Sequence, residues 1–535
     1  MSATSDLYQG YLDLRWHFDP AAASGLGITA HDHRLADYST DRMREHLTAF
    51  KAVAGAVEQL EVDDPEEEID RTAFLDEVRI TISRFERERP HVHDPSFWLG
   101  HLYGAFQALL RRRNGADAAR ARALLGRLQA TPAFLDAARA TLKDPPRVFL
   151  DTATQLAEVG PRLLSEVARV ARQGDPGLAD TIDDALGAAE TALGRFALAL
   201  GGELRAHPDD LSFAIGEEQF NRRLHHEHAL QAGAPELYRY GLHLVDEVAA
   251  EVQALAAQID PRVPWHAVVD RLRAAADPGP DLVGAFRDSA ERARQFLEER
   301  GLFTLPAQRL EVVETPSFLR PLMPFAAYSP PAAYGDYRTG TFYVTSPAPG
   351  QQVPGGCSLH EIAATVVHEA WPGHHLQLSA ARNCASEVRR ISWTPVTVEG
   401  WALYCEELMA EAGYFASVEE RLFQRLHLLW RAVRIVLDVG LHTRGMTPEQ
   451  AVDMLVDRVA MDRAKASAEV SRYCAWPTYQ LCYAVGRREL LHLREAWREA
   501  AGPDAPLREF HDRVLAYGGL PVSLIRWGMG LGLDE

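Results

Sequence analysis

Cysteine is scarce and poorly placed for cross-linking. Five residues (Cys357, Cys384, Cys405, Cys474 and Cys482) occur in 535, an odd number with no Cys-x-x-Cys spacing. This argues against a disulfide framework or a four-cysteine zinc site and fits a reducing cytoplasm. Positive charge is also in deficit. With 56 basic against 75 acidic residues the formal charge is −19, and no long Lys/Arg block offsets it. Such a chain repels phosphates, so nucleic acid is not an expected partner. The opening Met-Ser-Ala-Thr-Ser-Asp lacks the basic and apolar regions of a signal peptide. No uncharged apolar stretch reaches about 18 residues, so no membrane partner is expected either. A Gly-x-Ser-x-Gly elbow, a phosphate loop and a Gly-x-Gly-x-x-Gly fingerprint are all missing, which leaves the nucleophilic-serine and nucleotide chemistries without a carrier.

What the chain has in quantity is helical periodicity. Apolar residues recur three or four apart at Leu163, Leu164, Val167 and Val170, again at Leu242, Val245, Val248 and Val252, and at Leu422, Leu426, Leu429, Val433 and Val436. These stripes are core faces of amphipathic helices. One segment breaks the pattern: nine of the 31 prolines lie within residues 305–355. Inside it, residues 309–313 and 341–345 are rich in β-formers and bounded by Pro and Gly, which predicts a small sheet or hairpin. The expected fold class is therefore mostly α with a small β element. Its expected parts are an N-terminal helical lobe over 1–300, a Pro-rich β-containing connector over 301–358, and a C-terminal helical lobe over 359–535, packed as one body.

Chemistry is concentrated in residues 364–377, Ala-Thr-Val-Val-His368-Glu369-Ala-Trp-Pro372-Gly373-His374-His375-Leu-Gln377. In His-Glu-x-x-His zinc hydrolases, two histidines four apart share a helix face and hold the metal, while the intervening Glu acts as general base on water. Here Pro372 occupies the fourth position and cannot ligate. It must also bulge or kink the helix, since it lacks an N–H and clashes with the preceding turn. A two-residue bulge would deliver His374 as second ligand; an undistorted helix would leave His375 on the same face about 10 Å along the axis. Either closes a zinc site. A third ligand is expected from Glu399 on a following helix, with Glu406 seven residues on, on the same face, positioned to orient a ligand histidine. Two His and one Glu leave the fourth zinc position open, which is the catalytic arrangement.

These residues resemble the bacterial domain-of-unknown-function 885 family. The hallmark His-Glu-x-x-Pro-Gly-His-His-x-Gln stands at 368–377 and Glu-Gly-Trp-Ala-Leu-Tyr at 399–404. The likeness extends to His-Asp-His-Arg-Leu-Ala-Asp at 31–37, Gly216-Glu217, Asp438-Val-Gly-Leu-His442, Arg472-Tyr473, Tyr483 with Gly486, and Phe510-His511. The resemblance implies a mostly helical fold with two lobes around a deep central cleft, related to gluzincin peptidases of the angiotensin-converting-enzyme and carboxypeptidase Taq type. It also implies zinc held by His368, Glu399 and one of His374 and His375, with Glu369 as base. Two departures, Thr345 where the family has Asn and Thr478-Tyr479-Gln480 where it has Gly-Gln-Ala, fall in segments expected to lie near substrate.

Arg472, Tyr473 and Tyr483 suit the remaining needs: a guanidinium to grip a substrate carboxylate and a phenol to stabilise the oxyanion. His442 is expected to be a satisfied core histidine. The expected function is a zinc-dependent hydrolase of peptide or amide bonds, acting on short peptides or aminoacyl conjugates. The alternatives are an amidase of specialised metabolism and a metal-free helical binding protein.

Overall fold

In the computed structural model, residues 3–112, 117–275, 281–316, 319–320, 323, 325–335, 338–347, 358–502 and 504–532 are described; Cys357 and much of the Pro-rich segment lie outside them. The described chain is mostly helical with one small three-stranded sheet. It divides into two compact units, 1–213 with 332–337, and 214–331 with 338–535.

The first unit is helical because its apolar stripes need facing partners. The long helices Asp117–Thr141, Arg147–Gly174 and Ala179–Gly202 bury Leu124, Leu128, Leu164, Val167 and Phe196. The Asp144-Pro-Pro break separates the first two of these helices, since proline cannot continue a hydrogen-bonded turn. Buried Arg127 ties the unit's loops together, donating to the Arg34 carbonyl (3.1 Å), the Ser24 hydroxyl (2.6 Å) and the Ala105 carbonyl.

The second unit carries the sheet and all the residues of the 368–377 run. Strands β1 (Arg309–Glu314), β2 (Ala326–Ser329) and β3 (Thr339–Val344) lie in the order β1-β3-β2. β1 runs parallel to β3, and β2 antiparallel to it. Strands β1 and β3 were legible as β-rich runs; the edge strand β2, with only four residues, was not. The long helix Val418–Thr443 buries its predicted stripe at Leu422, Leu426, Leu429, Val433 and Val436. Ala234–Ile259 packs on it so closely that a Cβ at Gly241 would lie 2.9 Å from the Ile435 side chain. In the second predicted stripe Leu242 is 43% exposed, and Leu244 takes its place beside Val245, Val248 and Val252.

The unit boundary falls at 213/214 rather than near 300. Periodicity shows that a segment is a helix but not which helix it will pack against. Ala234–Ile259 and Leu282–Arg300 pack against Val418–Thr443 and Leu359–Glu369, so they belong with the C-terminal helices.

Candidate metal centre

The site starts from helix Leu359–Glu369. Ser358 and Glu361 form a reciprocal cap at its N-terminus, satisfying donors that the first turn leaves free. The apolar lead-in buries Ile362, Val366 and Val367 and delivers His368 and Glu369 at the last turn. There the helix stops instead of bulging. Pro372, joined to Trp371 by a cis peptide, has no N–H to continue it. The Gly373 N–H turns back to the Val367 carbonyl at 3.0 Å. A Cβ at Gly373 would lie 1.9 Å from the His368 carbonyl oxygen, so only glycine fits this reversal. A new helix, His374–Ala381, begins at the next residue. The Trp401 indole N–H holds the turn by donating to the Pro372 carbonyl at 3.0 Å.

The break brings His374 to His368, with ring centroids 4.9 Å apart. Helix Pro395–Glu411 supplies the third member: Glu399 Oε2 lies 3.5 Å from His368 Nε2 and 3.4 Å from His374 Nε2. Its placement depends on a close helix crossing. Gly400 faces Gly486 of helix Cys482–Ala501, where a Cβ at Gly486 would lie 1.8 Å from the Val396 carbonyl oxygen. One ligand atom from each of His368, Glu369 and His374 also lies within 4.8 Å of the other two. Two carboxylates therefore reach the imidazole pair, and their surroundings distinguish them. Glu399 is buried against both Nε2 atoms, and its other oxygen accepts from the Tyr479 hydroxyl at 2.5 Å. Glu369 is partly exposed and accepts from the Tyr328 N–H on β2 at 3.0 Å.

Behind the cluster, fully buried Glu406 accepts from His368 Nδ1 at 2.8 Å, an arrangement that leaves Nε2 facing the centre. The electrostatics are tightly linked. Burial by itself would depress the His368 imidazole, but its hydrogen bonds to Glu399 and Glu406 outweigh that and raise it to about 9. Burial would likewise raise the Glu399 carboxyl, yet hydrogen bonds from His368 and His374 hold it well below the usual carboxylate range.

His375 points elsewhere. Its Nδ1 lies 2.9 Å from the Tyr328 hydroxyl, its ring stands edge-on to Trp371, and burial pushes it down to about 4. A cavity of about 260 Å³ opens over the cluster, with Tyr328, Trp393, Arg431, Arg434 and Tyr483 in its walls. Tyr483 is thus brought to the site, its ring stacked on His368 and its hydroxyl pushed up to about 12, first by burial and then by the Glu399 charge.

Arg472 and Tyr473 are absent from the cavity wall. Arg472 donates to Glu469 at 2.6 Å, and the Tyr473 hydroxyl bridges Glu469 and Arg434 at 2.8 and 2.9 Å. Both serve to hold Arg434. His442 is a core residue, Nε2 lying 3.1 Å from the Tyr473 carbonyl. Thr345 is buried and donates to the Met323 carbonyl, while Thr478, at φ +66°, is held by Asp438. Of the departing residues, Tyr479 is the one that touches the cluster. Tyr328, Arg431 and Arg434 had gone unnoticed. Tyr328 sits on the short strand that patterning missed. The two arginines had a readable signal, since two cations three apart interrupt an otherwise buried stretch of helix.

The fold and cluster define a mostly helical protein with two His and two Glu side chains converging beneath one small cavity. Residues 20–529 match the DUF885 family, bacterial proteins of unknown function, and the chain belongs to that family. No curated protein matches the sequence. Among solved structures, it resembles a putative lipoprotein of unknown function from Shewanella oneidensis (TM-score 0.80, 22% identity, covering 99% of this chain and 100% of that one). It also resembles a putative lipoprotein from Colwellia psychrerythraea (TM-score 0.81, 19% identity, covering 99% and 98%). At these identities the likeness establishes a shared fold. Among the described residues no helix is long and apolar enough to cross a membrane.

Proposed function

We propose that this chain is a zinc-dependent hydrolase of peptide or amide bonds, acting on short peptides or aminoacyl conjugates and distantly related to gluzincin peptidases. The observation that carries the reading is the convergence of His368 Nε2 and His374 Nε2 on one Glu399 oxygen, at 3.5 and 3.4 Å, beside Glu369. This donor set fits zinc: two imidazoles and a carboxylate, the first imidazole oriented from behind by Glu406. Zinc held by His368, His374 and Glu399 would supply a Lewis acid for the scissile carbonyl and make water more acidic.

The remaining chemistry belongs to the side chains. Glu369, fixed by the Tyr328 N–H and facing the cavity, takes the proton of the attacking water and passes it to the leaving amine. Tyr483, which keeps its proton through the neutral range, donates to the oxyanion. Trp393, half-exposed at the cavity, offers an apolar wall. A volume of about 260 Å³ suits a small substrate. A cytoplasmic setting goes with this reading, supported by the free thiols of Cys384, Cys405, Cys474 and Cys482. The test is Glu369→Gln, with zinc content and hydrolysis of a peptide library measured together. Zinc should remain while turnover disappears; a fully active variant would overturn the mechanism.

A further inference from the structure

Arg431 lies on helix Val418–Thr443 and reaches the wall of the same cavity as His368, Glu369 and His374. Several arginines elsewhere in this unit are neutralised, although buried Arg382, which does not line the cavity, has no hydrogen-bond partner among the described residues. Arg434 pairs with Glu469, Arg425 and Arg487 share Glu407, Arg273 meets Glu361, and Arg494 meets Glu411. Arg431 is different. Among the described residues it makes no ion pair, Nε is buried without a hydrogen-bond partner, and its one hydrogen bond is a long one, 3.4 Å from Nη1 to the His427 carbonyl. Its guanidinium lies over the rings of Trp430 (4.7 Å) and Tyr483 (5.7 Å), which hold the plane in place without using its N–H groups.

The charged groups around it do not use those donors either. Glu406 and Glu399 attract Arg431 from a distance, and Arg434 repels it. Glu406 gives one oxygen to His368, its other oxygen making no hydrogen bond to Arg431 or any other described group, and Glu399 is committed to His368, His374 and Tyr479. A half-buried guanidinium whose Nε is shut off from water without a partner is costly unless something planar and anionic meets it. Carboxylates match that fork in two parallel hydrogen bonds.

Building on the hydrolase reading, we infer that Arg431 is the recognition group for a free carboxylate on the substrate. Because the cavity holds both Arg431 and the His/Glu cluster in about 260 Å³, one small molecule must present its carboxylate and its scissile amide together. The substrate class is then an acylated amino acid or short peptide cleaved next to its C-terminal carboxylate. Interior bonds of long chains, which offer no carboxylate there, are excluded.

The experiment compares a panel of dipeptides with the same panel as C-terminal amides on the full-length chain. Hydrolysis is followed with zinc-supplemented wild type, and binding by calorimetry with Glu369→Gln. Acids should be preferred over amides by roughly 10- to 100-fold, the scale of a charge-assisted hydrogen bond in a buried site. In Arg431→Met that ratio should fall toward one, and Arg431→Lys should restore part of it. The lysine variant also tests the point if the methionine variant does not fold. Acid-selective binding that is lost in Arg431→Met, without hydrolysis of either panel by wild type, would sustain the role of Arg431 and sink the hydrolase reading. Equal use of acids and amides, a preference that survives Arg431→Met, or no binding of either panel would overturn the assignment.

Discussion

Removing the Glu406 carboxylate should weaken zinc binding without touching any proposed ligand. Glu406 is fully buried, one oxygen 2.8 Å from His368 Nδ1 and the other without a hydrogen-bond partner. In the proposed metal centre it would fix the ring and make Nε2 a better donor. Glutamine keeps an oxygen that can accept from Nδ1 but removes the charge, so the ring stays oriented while its donor strength falls. Alanine removes both and leaves a void behind the imidazole. Losses from such supporting groups run to about 10- to 100-fold in metal affinity. We therefore expect Glu406→Gln near the lower figure and Glu406→Ala near the upper, about 1.4 and 2.7 kcal/mol. Competition with a chromophoric chelator at neutral pH reads both numbers directly. A matched measurement is the stabilisation of the chain by excess zinc, which should shrink by the same free energies if only the folded chain binds. Wild-type affinity in Glu406→Ala would refute the reasoning, because His368 would then need no partner. So would a glutamine variant weaker than the alanine one, since charge and orientation would not be the operative terms.

His374→Ala should abolish stoichiometric zinc binding, whereas His375→Ala should retain zinc and lose stability through the Tyr328 contact; metal analysis of both purified variants separates them. Gly486→Ala should destabilise the chain by about 3 kcal/mol in urea unfolding, since its Cβ would lie 1.8 Å from the Val396 carbonyl oxygen and force two helix backbones apart. A wild-type midpoint would show that the crossing is loose. Burial holds the imidazoles of His228 and His442 at about 4 and that of His511 at about 3. Because these pKa values are depressed, the stability they contribute is fully present above about 6.5 and is lost as pH falls through the folded values. Denaturant midpoints of the metal-free chain should therefore drop steeply between about pH 6 and pH 4, and a flat profile would contradict this.

Much of the site was legible because its residues are close in sequence. His368, Glu369, Pro372 and Gly373 fall within six consecutive positions, and local rules about proline and helix faces predict a bulge or kink after Glu369, where the structure has a full helix break. Glu399 and Glu406 were legible for a related reason: seven residues on a helix return to the same face. The choice between His374 and His375 was not legible, because it turns on how sharply the chain reverses at Gly373, and that is set by the Trp401 bond and the crowding at the His368 carbonyl. Arg472 and Tyr473 have suitable chemistry but lie on helix Arg463–Ala475, where they meet Glu469 rather than the cavity.

Composition and periodicity alone determined that this chain is acidic, poor in cysteine, mostly helical, and equipped with a His-Glu run interrupted by proline. Those properties are local, carried by residue type and by spacing within one helix. Tertiary structure alone decided which helices share a unit and which histidine joins His368. It also decided which arginine meets a carboxylate and which stands unpaired in the cavity wall. Each of these depends on the packing of segments distant in the sequence, where a close approach such as that of Gly400 and Gly486 sets a geometry that no single segment encodes.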